Sequence, residues 1–583
     1  MILQSLRDLA LREHLLELPD FEPKEVAWVI TVGDGGEFLG LSNTVAEAEP
    51  KGKPRRKKML IPRQSGRTSG REAEFLVDKS EYVLGVEPNN GRDSEELEKR
   101  RALFAAQVAA AAEATRAASL VAVRDFLASP EEMQKCVAEL GTNYKSNDLF
   151  AFSHADANGS PVHLDPAARQ FWSEQRRPRA SEVQQCLVCG DLRARVDKHP
   201  SIKRVPGGST SGVALISFNA EAFESLGLQR NENAPVCRDC ADAYTTALNR
   251  CLDNAYPSPV EEGKVLGRRN IRLSENTAAV FWGEKEGDLA DLFADMLEGR
   301  NQDAVRALFG SPYKGRPLTL DSSRFFALIL SGGQGRAILR GTHVGTVAET
   351  AENLRKYFEE IDISPPRPAP LNRLLASVAL IGDLENLPPD LAGLFFVAAI
   401  SGAKFPRWLL TAALNRARAE RKMPVPRERA ALIKAFLTRN LRKEIKVALD
   451  KDSPEPGYRL GRLFAVLENL QGRAIRNPSA TITDRFYGAA STRPQSVFVR
   501  LLHMAQHHAG KLDGGVFHQR LIAEILSGVP AIPATLNLEQ QGLFALGYYH
   551  QRQALWAKKE NQQASPASRT VETEEENHAE RES

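Results

Sequence analysis

Four of the six cysteines fall into two Cys-x-x-Cys pairs, Cys186 with Cys189 and Cys237 with Cys240. A two-residue spacer points two thiolates at one ion, and two such knuckles complete a tetrahedral site for one structural Zn2+. Gly190 directly after Cys189 suits the knuckle turn, and the long span between the pairs reads as an insertion. Four sulfur ligands leave no position for a water molecule, so this chemistry is structural. A redox role would need only one pair. Cys136 and Cys251 have no partner pattern and are expected in the core.

A second concentration of chemistry runs from Lys51 to Arg71. Lys51, Lys53, Arg55, Arg56, Lys57, Lys58, Arg63, Arg67 and Arg71 occur there without one acidic residue between them. Such cations neutralise phosphates. Arg63, Gln64 and Arg67, with Thr68 and Ser69, carry side chains of the kind that reach base edges or phosphates. Scattered glycine, serine and proline argue for a loop; the alternative is a solvated basic loop with no partner. A third stretch, Lys404 to Lys446, sets Lys404, Arg407, Arg416, Arg418, Arg421, Lys422, Arg427 and Arg429 on expected helices, partly offset by Glu420 and Glu428. It reads as a solvated helix surface or as a groove that tracks a single strand.

Other motifs lead away from catalysis. Ser331-Gly332-Gly333-Gln334-Gly335 lacks the Lys-Ser/Thr of a phosphate-binding loop and reads as a hairpin turn. His507 and His508 are neighbours on an expected helix, point apart, and do not chelate one ion. No Gly-x-Ser-x-Gly, His-Glu-x-x-His or paired-carboxylate motif stands out, and no His-x-Glu precedes a Cys-x-x-Cys as a deaminase requires. No catalytic residue is expected.

These groups sit on a chain of 583 residues, long enough for three or four domains at about 150 residues each. With 42% hydrophobic and 26% charged residues it reads as globular. No apolar run reaches membrane-spanning length and the first residues do not look like a secretion signal, so no membrane and a cytoplasmic location are expected. The net charge of only +3 places any nucleic-acid contact in local patches. A short helix is expected from about Leu3 to Leu16, followed by a hairpin of Val26–Val32 and Glu37–Leu41 about Gly33–Gly36. Residues 94–128 predict one or two helices stopped by Pro130. Phe325–Leu330 and Arg336–Arg340 form a second hairpin, a helix comes next over about 347–361, and Ile363–Pro368 reads as a linker.

The resulting fold class is α+β: an N-terminal mixed region with β-hairpins and a zinc-knuckle insertion, then an all-α bundle. The expected domains are 1–180, with the basic loop; 181–260, the knuckle module; 261–365, a hairpin-and-helix region; 371–556, the helical bundle; and 557–583, a Glu-rich disordered tail.

Three stretches resemble a known family. One is the opening Met1–Leu6 with its hairpin; another runs from Pro62–Gly70 to Phe75–Asp78 and Tyr82–Gly85. The most distinctive joins Tyr458–Glu468, Asp484–Ser491 and Leu546–Gln553. Together they resemble the large subunit of the type I-C CRISPR Cascade complex, over residues 1 to about 556. The resemblance implies a non-catalytic subunit that recognises the protospacer-adjacent motif in double-stranded DNA and promotes R-loop formation. It further implies stabilisation of the displaced strand and recruitment of a helicase-nuclease. Implied partners are target DNA, guide RNA within the complex, the Cascade backbone and handle-binding subunits, and a bacterial cytoplasmic setting. A small helical subunit is also implied, and an internal start near Met423 or Val425 would yield it. Competing readings are a free-standing zinc-containing DNA-binding protein and a zinc-dependent nucleic-acid enzyme.

Overall fold

The computed structural model describes residues 1–16, 20–44, 56–64, 72–88, 91, 93–155, 159–175, 183–253, 268–285, 293–294, 296–299, 322–367, 369–475, 480–512 and 515–564. Its contacts divide the chain into two units. One comprises Ala10–Asp197 and Phe218–Ala243; the other comprises Met1–Leu9, Lys198–Ser217 and Tyr244–Ser583. The α+β fold class holds, with strands and hairpins in the N-terminal part and helices in the C-terminal part.

After helix α1 (Ile2–Arg12) come β1 (Phe21–Glu25), β2 (Trp28–Val32), β3 (Phe38–Asn43), β4 (Lys58–Pro62), β5 (Asp78–Lys79), α2 (Ser80–Val83), α3 (Ser94–Thr115), α4 (Ala118–Ala128), α5 (Pro130–Leu140), β6 (Leu149–His154) and α6 (Pro166–Gln175). The sheet order is β3-β2-β6-β5, with β2 antiparallel to β3 and parallel to β6. Alternation along β2 buries Trp28, Ile30 and Val32 against Phe104, Phe126 and Phe152. Gly36, at φ +83°, closes the β2–β3 turn, and a Cβ there would lie 2.5 Å from the Phe126 backbone nitrogen. The exposed edge of β3 is closed by α5: Glu132 accepts from the Phe38 N–H at 2.7 Å and Glu139 from the Leu41 N–H at 3.1 Å.

Residues 94–128 form two helices, separated at Arg116 with φ +54°, and the second ends at Ala128, just before Pro130, as expected. Pro130 also starts a third helix. It occupies the first turn, where its missing N–H costs nothing, while the Ser129 side chain accepts from the Glu132 N–H at 3.4 Å. One expectation changes here: residues 58–62 of the basic segment, expected as loop, are strand β4, paired with β1 from Phe21↔Pro62 to Glu25↔Lys58. The apolar Met59-Leu60-Ile61 run, hidden among cations in the sequence, buries Ile61 with Val26, Val77 and Leu149.

The chain continues through the short hairpin β7 (Val183–Gln185) and β8 (Leu192–Ala194) to α7 (Arg238–Leu252). Strands β9 (Asn270–Ser274), β10 (Thr277–Gly283), β11 (Arg324–Gly332) and β12 (Ala337–Thr346) form an antiparallel sheet in the order β12-β11-β10-β9. The glycine-rich motif is the β11–β12 turn. Helix α8 (Val347–Ile361) then begins under a capping box of Thr346 and Glu349. The supposed linker after it is packed: Ile363 is fully buried, Tyr549 Oη donates to the Ser364 carbonyl at 2.9 Å, and Arg427 Nε donates to the Pro365 carbonyl at 3.0 Å.

The bundle comprises α9 (Leu371–Ala376), α10 (Pro389–Ser401), α11 (Arg407–Ala419), α12 (Arg427–Leu441), α13 (Pro456–Ala474), α14 (Ile482–Ala490), α15 (Gln495–Ala509), α16 (Gly515–Ser527) and α17 (Leu538–Ala564). The last helix extends eight residues past Trp556, and residues 565–583 of the expected tail lie outside the described residues. Helices α13 and α17 touch at their backbones. A Cβ on Gly461 would lie 2.0 Å from the Phe544 carbonyl oxygen, and one on Gly547 would lie 2.0 Å from that of Tyr458. Beside this contact Arg462 is fully buried, donating to Gln551 Oε1 (3.1 Å), the Lys451 carbonyl (2.8 Å) and Glu524 Oε1 (3.2 Å). Glu468 accepts from Tyr548 Oη at 2.8 Å and from Thr483 Oγ1 at 2.7 Å. No described helix is long and apolar enough to cross a membrane.

Substituting Gly547→Ala forces these helices apart and should cost about 3 kcal/mol, read as a lowered denaturation midpoint. Acid should also destabilise the chain. Burial holds His163, His199 and His550 down to about 4, whereas an unfolded histidine binds its proton near 6.5. Stability present above pH 6.5 is therefore lost as the pH falls from 6.5 toward 4, by about 2 kcal/mol per histidine at pH 5. Urea titrations at pH 7.5 and pH 5 measure it, and an unchanged midpoint would refute it.

Candidate metal centre and nucleic-acid interface

The two cysteine pairs come from different local structures. Cys186 and Cys189 sit in the β7–β8 turn, closed by the Gly190 N–H to the Cys186 carbonyl at 2.9 Å, with Gly190 at φ +82°. Cys237 immediately precedes α7 and Cys240 lies in its first turn. The Leu187 N–H bonds the Pro235 carbonyl at 2.9 Å, and Arg193 bridges Asp191 (3.2 Å) and Asp239 (2.7 Å), tying one knuckle to the other.

All four Sγ atoms lie within 4.8 Å of one another, and Cys189 Sγ is 3.9 Å from Cys237 Sγ. Four bonds of about 2.3 Å in a tetrahedron require sulfurs about 3.8 Å apart, so the arrangement fits one zinc-like ion. The N–H groups of Val188 and Cys237 point at Cys186 Sγ, at 3.4 and 3.3 Å, as donors that favour a thiolate. The Cys240 thiol hydrogen-bonds to Cys237 and pulls its titration down to about 5, while Cys240, as the donor, is held well above the ordinary thiol range. A cation at the centre relieves that conflict by neutralising several thiolates together. An ion held by four protein sulfurs would have no open position. Cys136 and Cys251 are buried elsewhere.

Lys51, Lys53, Arg55, Arg67, Thr68, Ser69 and Arg71 of the basic segment lie outside the described residues. Its described members divide. Arg56 makes a bidentate pair with the buried Asp148, which also accepts from Trp28 Nε1 at 3.3 Å and the Lys145 N–H at 3.0 Å. Arg63 donates to the Phe21 carbonyl at 3.3 Å and stands 3.6 Å from Asp242. Gln64 accepts from Lys24 and donates to the Val77 carbonyl at 3.2 Å. These three side chains fasten the segment, whereas Lys57 and Lys58 are exposed. Arg56 also lines an open cleft of about 650 Å³ with Tyr144, Lys145, Ser146 and Asn147. The sequence reading missed that group; its signal was an aromatic and a lysine inside the polar run Gly141–Asp148.

The Lys404–Lys446 cations divide as well. Arg429 is only 3% exposed and donates to the Ser377 and Pro424 carbonyls. Arg427 holds the 365–367 segment, and Arg416 pairs with Glu420 at 3.1 Å. Lys404, Arg407, Arg418, Arg421 and Lys422 are exposed, with Arg418 bonded to Asn415 at 2.6 Å. His508 is buried and His507 exposed, so they do not meet at one ion.

The metal centre has a direct check. Native mass spectrometry of chain purified with zinc should show one ion, lost in Cys237→Ser together with several degrees of melting temperature. Full thermal stability without any bound ion would overturn this assignment.

No curated protein matches the chain. A family model described as "CRISPR-associated protein (Cas_Csd1)" matches residues 6–556, taking in the sheets, the cysteine centre and the bundle as far as Trp556. The chain belongs to that CRISPR-associated family.

Proposed function

We propose that this chain is the large, non-catalytic subunit of a type I-C Cascade and that it reads the protospacer-adjacent motif on duplex DNA. The family makes it a CRISPR-associated, Cascade-type subunit. The observation that carries the finer reading is that this family match covers a chain whose basic segment is anchored at Arg56, Arg63 and Gln64. These anchors hold β4 with Lys57 and Lys58 exposed between them, where they could approach a groove beside the motif, while guide pairing reads the target. Phosphate contacts from Lys57, Lys58 and the remaining lysines and arginines of 51–71 supply affinity. The Arg56 cleft offers further donors beside them.

In this reading the exposed cations near Arg421 hold the displaced strand, one Zn2+ braces the 181–260 module, and a partner helicase-nuclease performs cleavage. Guide RNA, the backbone and handle-binding subunits and a bacterial cytoplasmic setting complete the assembly. The turn between α11 and α12 contains Met423 and Val425; a product started there would keep α12–α17 as a small helical subunit.

The test is a gel shift with guide-loaded backbone complex, with and without this chain, on duplexes differing only in flanking bases. Flank-dependent binding should require the chain. It should weaken at least about tenfold when Lys57, Lys58, Arg67 and Arg71 become alanine, with a shallower salt dependence. Arg63 and Gln64 are unsuitable targets because they hold the fold. Binding indifferent to the flank, with the chain bound in the complex, would refute the proposal.

A further inference from the structure

A second pair of metal-ligating side chains lies on the bundle, on one helix. In α15 the side chains of Val497, Phe498, Leu501, Ala505, His508 and Ala509 are buried. The opposite side carries Val499, His503, Gln506 and His507, all exposed. His507 has no common target with His508, since neighbours on a helix point apart, but His503 stands one turn before it on the same face.

The two rings are spaced as a chelate requires. Their centroids are 5.1 Å apart and their planes meet at 69°. An ion bonded at about 2.0 Å to one nitrogen of each ring stands about 3.2 Å from each centroid, and a tetrahedral angle then sets the centroids about 5.2 Å apart. The right angle of octahedral coordination would bring them to about 4.5 Å. The observed spacing is that of tetrahedral zinc, for which imidazole is a favoured ligand. Rotation about Cβ–Cγ leaves each centroid nearly in place, so either ring nitrogen can be presented without moving the helix.

The surroundings suit a cation. His507 lies in the last turn of α15, where the carbonyl groups carry the negative end of the helix dipole. Arg500, on the turn before His503, is drawn over the Phe486 ring, 5.5 Å from its centroid. Phe498 packs on Phe464 of α13, which keeps the helix in place beneath the pair. Exposed Lys511, just past the helix end, opposes a second cation and keeps the site weak.

We propose that His503 and His507 hold one Zn2+, at a site separate from the four cysteines, with its remaining positions open to water. Bound there, the ion clips the last turns of α15 together. Two protein ligands release their ion when free zinc is withdrawn, so the site fills only where free zinc is present.

Equilibrium dialysis of the full chain against micromolar free Zn2+, with bound metal counted by elemental mass spectrometry, tests this. The chain should carry one zinc more than His503→Ala or His507→Ala, whatever the cysteines hold. Each substitution should weaken the binding at least about tenfold, because the second ring meets an ion already held by the first at high effective concentration. Both positions face solvent, so in chelator both variants should melt with the parent. In the unsubstituted chain, free zinc should shield His503 and His507 together from diethyl pyrocarbonate. An equal zinc count in the parent and the double variant would overturn the proposal. So would losses below about threefold in the single variants, or shielding of one ring without the other, since the rings would then act independently.

Discussion

The bundle rests on one close approach: α13 and α17 meet where Gly461 and Gly547 leave no side chain between two backbones. That proximity brings Arg462 to a position with no access to water, where an unpaired cation would be strongly destabilising. Its acceptors come from α17, α16 and the segment before α13. A shift of either helix by one turn would strand the charge, so the arginine penalises misregistered packing more than it adds stability. Glu468 performs the same service between α13, α14 and α17. The stretches that resembled a family in the sequence, 458–468, 484–491 and 546–553, are the segments meeting at this junction.

Local chemistry was readable where it is self-contained. Thr346 and Glu349 cap α8 with their own backbone and side-chain atoms, so four residues announce the start of the helix. The Cys-x-x-Cys spacing likewise encodes its own turn, and the meeting of the two knuckles came from the need for four ligands. Reading failed where a partner lies far away in sequence. Met59-Leu60-Ile61 stands in a segment with a loop's composition, yet it pairs with β1 as β4. The 363–368 segment has a linker's composition, yet Tyr549 and Arg427, far away in sequence, bind its carbonyls. Charge counting had the same weakness. Arg421 and Arg429 look alike in the sequence; one faces solvent and the other faces Ser377 and Pro424.

The β7–β8 knuckle offers little core of its own. Its strands are three residues long, and Leu187 and Leu192 point outward, 68% and 76% exposed. The Arg193 bridge to Asp191 and Asp239 ties it to the start of α7, and an ion held by the four sulfurs would add a cross-link between the same two elements.

The carboxylates of α5 that occupy the N–H groups of β3 have a consequence for assembly. A free strand edge is an adhesive surface with little discrimination, offering hydrogen bonds to any extended chain. Glu132 and Glu139 satisfy two of those donors from within and set negative charge along the rim. A stray strand would have to displace both acids before it gained a bond. On that side the molecule is closed to β-addition, so any neighbour must be recognised there by the side chains it presents, which is a far more selective form of contact.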